Sequence, residues 1–221
     1  LSVDEAADLA RTCKKPIVIG DAADGTGSGS AGDSTYVLLQ LMEKHLDISA
    51  CLTVVDAQAV KDAFEAGIGA TREFVIGGKS DPVNYAPARI KGIVKLLSDG
   101  DFICRGPQFT GEWCHMGKTA VIQSGKIDIV VMENSAFNWD PSLYRSQGIE
   151  PKYKQLIIVK SPNAFRAPYS EITDQLYVID SPGISTSNVM RIPFKNIPHP
   201  MYPYDDVSDV RLETLVYIGS K

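Results

Sequence analysis

The sequence predicts an α/β protein with a mixed, largely parallel sheet, flanking helices and an added layer of antiparallel hairpins. In the first third of the chain, short apolar runs alternate with amphipathic segments, which is typical of parallel strands joined by right-handed helical crossovers. Further along, pairs of apolar runs flank glycine-containing turns, which indicates hairpins. The 221 residues suffice for a sizeable core, and we expect residues 1–221 to form a single domain.

The first third divides into elements by apolar spacing and end signals. Ser2 or Asp4 is predicted to cap the first helix, and Asp33 or Ser34 the second. The third helix is expected to stop at Gly67 and Gly69, and the strands around it to run parallel. The elements are a helix over 1–15, strand Pro16–Gly20, helix Ser34–Leu46, strand Ile48–Val55, helix Ala57–Ala66 and strand Thr71–Ile76.

The remaining elements begin with two predicted hairpins. One turns at 98–101 between Ala88–Leu97 and Phe102–Gly106, and the other at 124–126 between Lys118–Ile122 and Ile127–Met132. We then expect a helix at Pro141–Gln147, strand Gln155–Val159, a short helix near Ala167–Asp174 and strand Leu176–Ile179. The proline-rich tail, Pro193–Asp206, is expected to pack as an extended segment over the domain.

Composition and charge disfavour several classes of protein. A net charge of −5 gives no support for nucleic-acid or anionic-membrane binding, and no apolar stretch approaches the roughly 20 residues of a membrane span. The cysteines lack metal-like spacing and are expected to be free thiols, which fits a reducing, cytoplasmic setting; they are Cys13, Cys51, Cys104 and Cys114.

The chain starts at Leu1, and its first residues already have a helical pattern without a targeting signal. We therefore expect a piece of a longer polypeptide, with a complete protein freed of its tag as the alternative.

The loop Gly27–Gly32 contains the G-x-G-x-x-G spacing of dinucleotide-binding proteins. That fingerprint requires its first glycine at the end of the strand, whereas here residues 21–26 intervene. Asp21, Asp24 and Asp33 would also repel a pyrophosphate. Two interpretations remain open: a flexible surface loop with Asp33 as a helix cap, or a loop that shapes a binding site.

Two basic segments offer further candidate site residues. Gly77–Ser80 ends like a P-loop, but Glu73 stands where the earlier glycine is required. Lys79 remains a candidate site cation because it follows a predicted parallel strand, although a solvated lysine is the alternative. Polar residues also follow the strand at Gln155–Val159 and are expected at the ligand-binding edge of the sheet; they are Lys160, Ser161, Asn163 and Arg166.

Arg166 is suited either to a bidentate carboxylate clamp or to an ion pair with a loop aspartate. His45, His115 and His199 show no zinc-ligand spacing, so no metal site is predicted within the chain.

Taken in order, these motifs resemble the C-terminal domain of MlrC (microcystinase C)-type metallopeptidases, from about Pro16 to Asp205. The family pattern has an acidic glycine-rich loop ending in Gly-Asp-Ser/Asn-Thr, then Gly-Gly-Lys, Ser-Asp-Gly, Gly-Ile-x-Pro, Lys-Ser and Pro-x-Tyr-Pro. The matching segments are Asp21–Thr35, Gly77–Lys79, Ser98–Gly100, Gly148–Pro151, 160–161 and Pro200–Pro203. One departure is Ala164, which stands where the family has the histidine of His-Phe-Arg-Ala.

The resemblance implies a zinc-dependent hydrolase of small peptides or related amides, with zinc bound mostly by an N-terminal domain of the same polypeptide. This chain would then lack a cofactor of its own, be inactive alone and form the substrate-binding wall through the candidate residues above. A small peptide is the implied partner, and a homo-oligomer is left open. The alternatives are a non-catalytic ligand-binding α/β domain and a nucleotide-binding enzyme that uses Gly27–Gly32.

Overall fold

The computed structural model describes residues 1–211, which fall into two compact units, Leu1–Ser187 and the segment from Asn188 onward. The helices are α1 (Val3–Thr12), α2 (Tyr36–Lys44), α3 (Ala57–Ala66), α4 (Ser142–Ser146) and α5 (Arg166–Tyr169). The strands are β1 (Ile17–Asp21), β2 (Ala50–Val55), β3 (Thr71–Ile76), β4 (Ala88–Ser98), β5 (Asp101–Ile103), β6 (Trp113–His115), β7 (Thr119–Ser124), β8 (Ile127–Met132), β9 (Leu156–Val159) and β10 (Leu176–Ile179).

The larger unit is built on an eight-stranded sheet with the order β10-β1-β9-β2-β8-β7-β4-β3. The strands from β10 to β8 pair in parallel, and β7, β4 and β3 continue the sheet in antiparallel pairs. A separate small sheet consists of β5 and β6. The predicted fold class is confirmed: an α/β protein with a largely parallel sheet and an antiparallel part.

The central strands are buried on both faces, which accounts for their nearly continuous apolar sequences. Alternate side chains enter two separate clusters. Ile17 and Ile19 of β1 pack with the apolar faces of α1, α2 and α3, whereas Val18 packs on the opposite side with Tyr144 and Phe165. The sheet is therefore covered by side chains on both faces.

The helix boundaries follow local capping, with one correction. Ser2 and Glu5 form a capping box at α1, and Asp56 accepts hydrogen bonds from the first N–H groups of α3. The cap of α2 is Thr35, so the prediction of Asp33 or Ser34 is wrong. The Asp33 carboxylate is instead occupied by donors from residues 79–80.

The prediction that the third strand is parallel is wrong. β3 lies at the edge of the sheet and pairs with β4 in antiparallel orientation. β4 pairs with β7 over 93–98 along one edge and leaves its other edge for β3, which pairs with it over 88–93. A strand that follows α3 can therefore add to the free edge of β4 instead of joining the parallel strands.

The two hairpin predictions have different outcomes. β7 and β8 form the predicted hairpin, with Ser124 opposite Ile127. The prediction of a hairpin between β4 and β5 is wrong, because the end of β4 pairs with β7, with Ser98 opposite Thr119. β5 leaves the main sheet and pairs with β6.

The later elements also appear near their predicted positions. The helix expected near Ala167–Asp174 is the short α5, and β10 has the predicted bounds. The segment from Asn188 contains a 3-10 helix at Val189–Arg191 and turns, with a hydrogen bond from the Tyr204 hydroxyl to the Val189 carbonyl. Packing of Pro193–Asp206 over the domain remains a prediction, as does a single domain over 1–221.

Candidate functional site

The loop that follows β1 is organised around Asp24. Its carboxylate accepts hydrogen bonds from the backbone N–H groups of Gly32 (3.0 Å) and Ser34 (2.7 Å). Gly29 and Gly32 adopt left-handed backbone conformations, which glycine permits without a Cβ clash. Residues 27–29 are exposed, whereas both ends of the loop are buried. Asp24 thus closes the loop upon itself.

Lys160 neutralises Asp24. Its Nζ lies 2.6 Å from a carboxylate oxygen of Asp24 and also donates to the Ser34 carbonyl at 2.9 Å. Both side chains of the ion pair are only 1–2% exposed. A buried charge is stable only when it is paired and hydrogen-bonded. The Lys160 ammonium therefore stabilises the loop and is not available to bind a ligand.

Asp21 and Ser161 are also buried near the carboxyl ends of β1 and β9. The Ser181 hydroxyl donates to Asp21. Burial raises the pKa of Asp21, with the nearby Lys160 ammonium acting in the opposite direction. The Ser161 hydroxyl accepts from the Ala164 N–H at 3.2 Å. Asp21 therefore contacts the segment at Ser181, and Ser161 supports the backbone that follows β9.

A groove beside the loop contains an exposed cation, Lys79. Lys79 Nζ lies 2.8 Å from both oxygens of Asp56, whose side chain is 2% exposed against 45% for Lys79. The groove has a volume of about 410 Å³. Its lining residues are Ala31, Asp33, Val55, Asp56, Ala57, Gln58, Lys79 and Ser80. An ammonium with solvent access suits a carboxylate or another anion.

Asp33 fixes the segment that carries this lysine. Its carboxylate accepts from the backbone N–H groups of Lys79 and Ser80, both at 2.8 Å, and from the Ser80 hydroxyl. Burial alone would raise the pKa of Asp33, but the Ser80 and Lys79 donors outweigh it and leave the pKa lowered. Asp33 is thus a positioning residue for the groove.

Replacing Ser80 by alanine should raise the pKa of Asp33 and destabilise the protein by about 1 kcal/mol near neutral pH. Because folding lowers this pKa, ionised Asp33 contributes stability above its unfolded pKa and loses that contribution as the pH falls through the folded value. The difference between wild type and Ser80→Ala should therefore shrink in acid. Carboxyl NMR titration and urea unfolding at several pH values test this, and an unchanged Asp33 pKa would contradict it.

Asn163 and Arg166 lie apart from the buried ion pair and bind each other. Arg166 Nε donates to Asn163 Oδ1 at 2.9 Å, and its Nη1 donates to the Leu176 carbonyl at 3.1 Å. Both residues are exposed. The ion pair with a loop aspartate that was considered for Arg166 is made by Lys160, and the carboxylate clamp remains a prediction.

An aromatic cluster lies beside the glycine loop, and none of its residues is among the predicted site residues. The Phe137 and Trp139 rings stack at 4.5 Å, and Phe109 stacks on Phe137 at 5.2 Å. A Cβ on Gly27 would lie 2.9 Å from the Trp139 ring, so the first glycine of the G-x-G pattern allows contact with this ring. The Phe-Asn-Trp run at 137–139 was the available sequence signal.

Within residues 1–211, no group of three or more His, Cys, Asp or Glu side chains is arranged to hold a metal ion. The carboxylates of Asp24 and Asp33 in the loop, and of Asp56 at the start of α3, are already engaged by lysine or N–H donors. In the same part of the chain, none of the helices has both the length and the apolar character needed to cross a bilayer.

Comparison with known proteins identifies relatives. Microcystinase C from Sphingomonas sp is 26% identical over 193 residues, which are 87% of this chain and 36% of that protein. The structure described as "Putative metallopeptidase from MESORHIZOBIUM SP. BNC1" matches with a TM-score of 0.85 and 27% identity, covering 94% of this chain and 41% of that one. The chain thus spans less than half the length of both. The family model MlrC C-terminus matches residues 19–196, and the chain therefore belongs to the MlrC C-terminus family.

Proposed function

We propose that this chain is the substrate-side domain of a zinc-dependent metallohydrolase that acts on small peptides or related amides. The family and the metallopeptidase description of its structural relative support this class of reaction. The observation that carries the role of this domain is the Lys79 groove, where a solvent-accessible ammonium is held by a buried carboxylate. The domain is inactive without the rest of the polypeptide.

The acidic residues of the loop do not fit a catalytic metal. Asp24 is neutralised by Lys160, and Asp33 is surrounded by N–H and hydroxyl donors. A cation at either carboxylate would have to displace these donors. The zinc of the proposed enzyme is therefore assigned to the portion of the polypeptide that this chain does not include.

The residues of this chain bind and orient the substrate. Lys79 provides a positive charge for a substrate carboxylate or a polarised carbonyl oxygen. Asp56 and Asp33 fix the lysine from its side chain and its backbone, respectively, so little conformational freedom is lost when the substrate binds. Ala31 and Ser80 form part of the same wall.

A longer polypeptide that includes the natural upstream sequence tests the proposal. Zinc content by elemental analysis should be near zero for the 221-residue chain and about one per molecule for the longer protein, which should also hydrolyse small peptides. About one zinc on the short chain, or peptide hydrolysis by it alone, would overturn the assignment. Peptide binding without any cleavage by the longer protein would favour the non-catalytic alternative, to which Ala164 in place of the family histidine points.

Replacing Lys79 by glutamine in the longer protein should reduce kcat/KM roughly 10- to 100-fold, the loss expected for one charged hydrogen bond. Zinc content should not change. Lys61→Gln is the matched control, because Lys61 is 67% exposed on α3 and pairs only loosely, at 3.9 Å, with Glu65. Equal kinetics of the two variants would exclude Lys79 from substrate binding.

A further inference from the structure

The glycine loop borders a second cavity that shares no lining residue with the Lys79 groove and that the proposed function does not use. Its volume is about 260 Å³. Thr26 of the loop lines it together with Trp113, His115, Ser135 and Phe137. Trp113 is 60% exposed and Phe137 39%, so two large aromatic side chains meet solvent at one concave surface.

The walls of this cavity are held in place before any ligand binds. Phe137, Phe109 and Trp139 contact one another in a triangular cluster, and the Trp113 ring lies nearly parallel to the His115 ring at 6.4 Å. Phe109 has a φ of +58°, an uncommon conformation for a residue with a side chain. Because these rings already pack against one another, less side-chain entropy is lost when a ligand contacts them.

A groove of about 570 Å³ adjoins this cavity, because Trp113 lines both. Ser142 also lines the groove, but its side chain is almost entirely buried and its Oγ is closed off from solvent, so the groove does not present this hydroxyl to a ligand.

The cations of the groove are Arg105 and Arg145. Arg145 pairs with Glu150, whereas no hydrogen bond or ion pair of the Arg105 side chain occurs among the described residues. The acidic side chain of the groove, Asp101, is paired with His115 at 2.7 Å. The groove therefore offers the Arg105 guanidinium to an anion.

The geometry points to a binding site for the aromatic residue of a peptide-like ligand, with its ring in the Phe137 cavity and its carboxylate at Arg105. The cavity volume is below the roughly 300–1,000 Å³ of sites for whole drug-sized ligands, which matches one side chain. A planar guanidinium is suited to a carboxylate. The assignment extends the proposed function by specifying a substrate class. It rests on the proposed function only in taking the aromatic ligand to be part of a peptide.

Intrinsic fluorescence tests this site directly, because the only tryptophans of the sequence are Trp113 and Trp139. The tryptophans are excited at a wavelength that N-acetyl-L-phenylalanine does not absorb. Addition of this ligand should then change the tryptophan emission of the 221-residue chain saturably, with a Kd of about 1 mM. N-acetyl-L-alanine should produce no saturable change, and N-acetyl-L-phenylalanine amide should bind roughly 10-fold more weakly.

Variants separate the two halves of the site. Phe137→Ala should weaken binding of N-acetyl-L-phenylalanine at least about 10-fold, and Arg105→Gln should abolish the preference for the acid over the amide. Tyr153→Ala is the matched control, since Tyr153 is 77% exposed and lines neither cavity nor groove. Thermal unfolding and circular dichroism should show that all three variants remain folded.

Absence of a saturable signal at about 10 mM of N-acetyl-L-phenylalanine would overturn the assignment. Equal affinities for acid and amide in the wild type would overturn its carboxylate half. The measurement requires neither metal nor catalysis. If N-acetyl-L-phenylalanine binds but the longer protein hydrolyses no peptide, the proposed hydrolase activity is rejected and the binding site stands.

Discussion

Replacing Lys160 by methionine should lower the free energy of unfolding by about 3–5 kcal/mol, the range for breaking a buried ion pair. Methionine fills much of the same space but leaves the Asp24 carboxylate, which is 1% exposed, without its cation. The Ser34 carbonyl loses a donor as well. Urea denaturation monitored by circular dichroism measures the change.

Two further variants make this result specific. Adding Asp24→Asn to Lys160→Met should recover part of the loss, because a neutral amide is less costly to bury than an unpaired carboxylate. Lys15→Met removes the exposed ion pair with Asp174, whose side chains are 58% and 65% exposed, and should cost about 0–1 kcal/mol. A similar loss in the free energy of unfolding for Lys15→Met and Lys160→Met would show that burial does not strengthen the Lys160–Asp24 ion pair.

Replacing Gly78 by alanine should destabilise the protein by about 2–5 kcal/mol, since left-handed strain and overpacking add. Gly78 has a φ of +65°, and a Cβ there would lie 2.4 Å from the backbone of Ala86. Backbone atoms cannot rotate away as a side-chain end can, so the chain itself must move. That movement would displace Lys79, the next residue, and in the longer protein we expect weaker substrate binding.

The matched control is Gly69→Ala. Gly69 has a similar φ of +86°, but a Cβ there would meet no atom within 4 Å. This substitution should cost only the conformational strain, about 1–2 kcal/mol. Thermal and urea unfolding of both variants measure how much of the destabilisation comes from the clash of the added Cβ with the Ala86 backbone. Equal destabilisation of the two variants would show that this clash is relieved without loss of stability.

The sequence predicts the parallel half of the fold well because local signals suffice there. The bounds of α3 and β10, for example, coincide with the apolar periodicity and the turn residues around them. The pairings of β3 and β5 were not predicted, although each strand pairs in antiparallel orientation with the next strand along the chain, β4 and β6 respectively. The segments that join these strands, residues 77–87 and 104–112, lack the two-residue turn that marks a tight hairpin.

The candidate site shows the same division between local and distant information. The acidic loop and its lysines were identified from their positions after predicted strands. Which lysine pairs with which aspartate was not predictable, because Lys160 reaches Asp24 only through the adjacency of β1 and β9. The aromatic cavity was missed because its wall residues come from three distant segments, around Thr26, Trp113 and Phe137.

Asp56 performs several structural tasks with one carboxylate, and this limits how the site can vary in evolution. It accepts from Gln58 and Ala59 at the start of α3, from the Gly77 N–H and from Lys79. Asparagine or serine could replace it as a helix cap, but neither carries the charge that holds the lysine. Lys79 can change without loss of the cap, whereas residue 56 cannot change without affecting the groove. Diversification of ligand preference is therefore expected to begin at position 79.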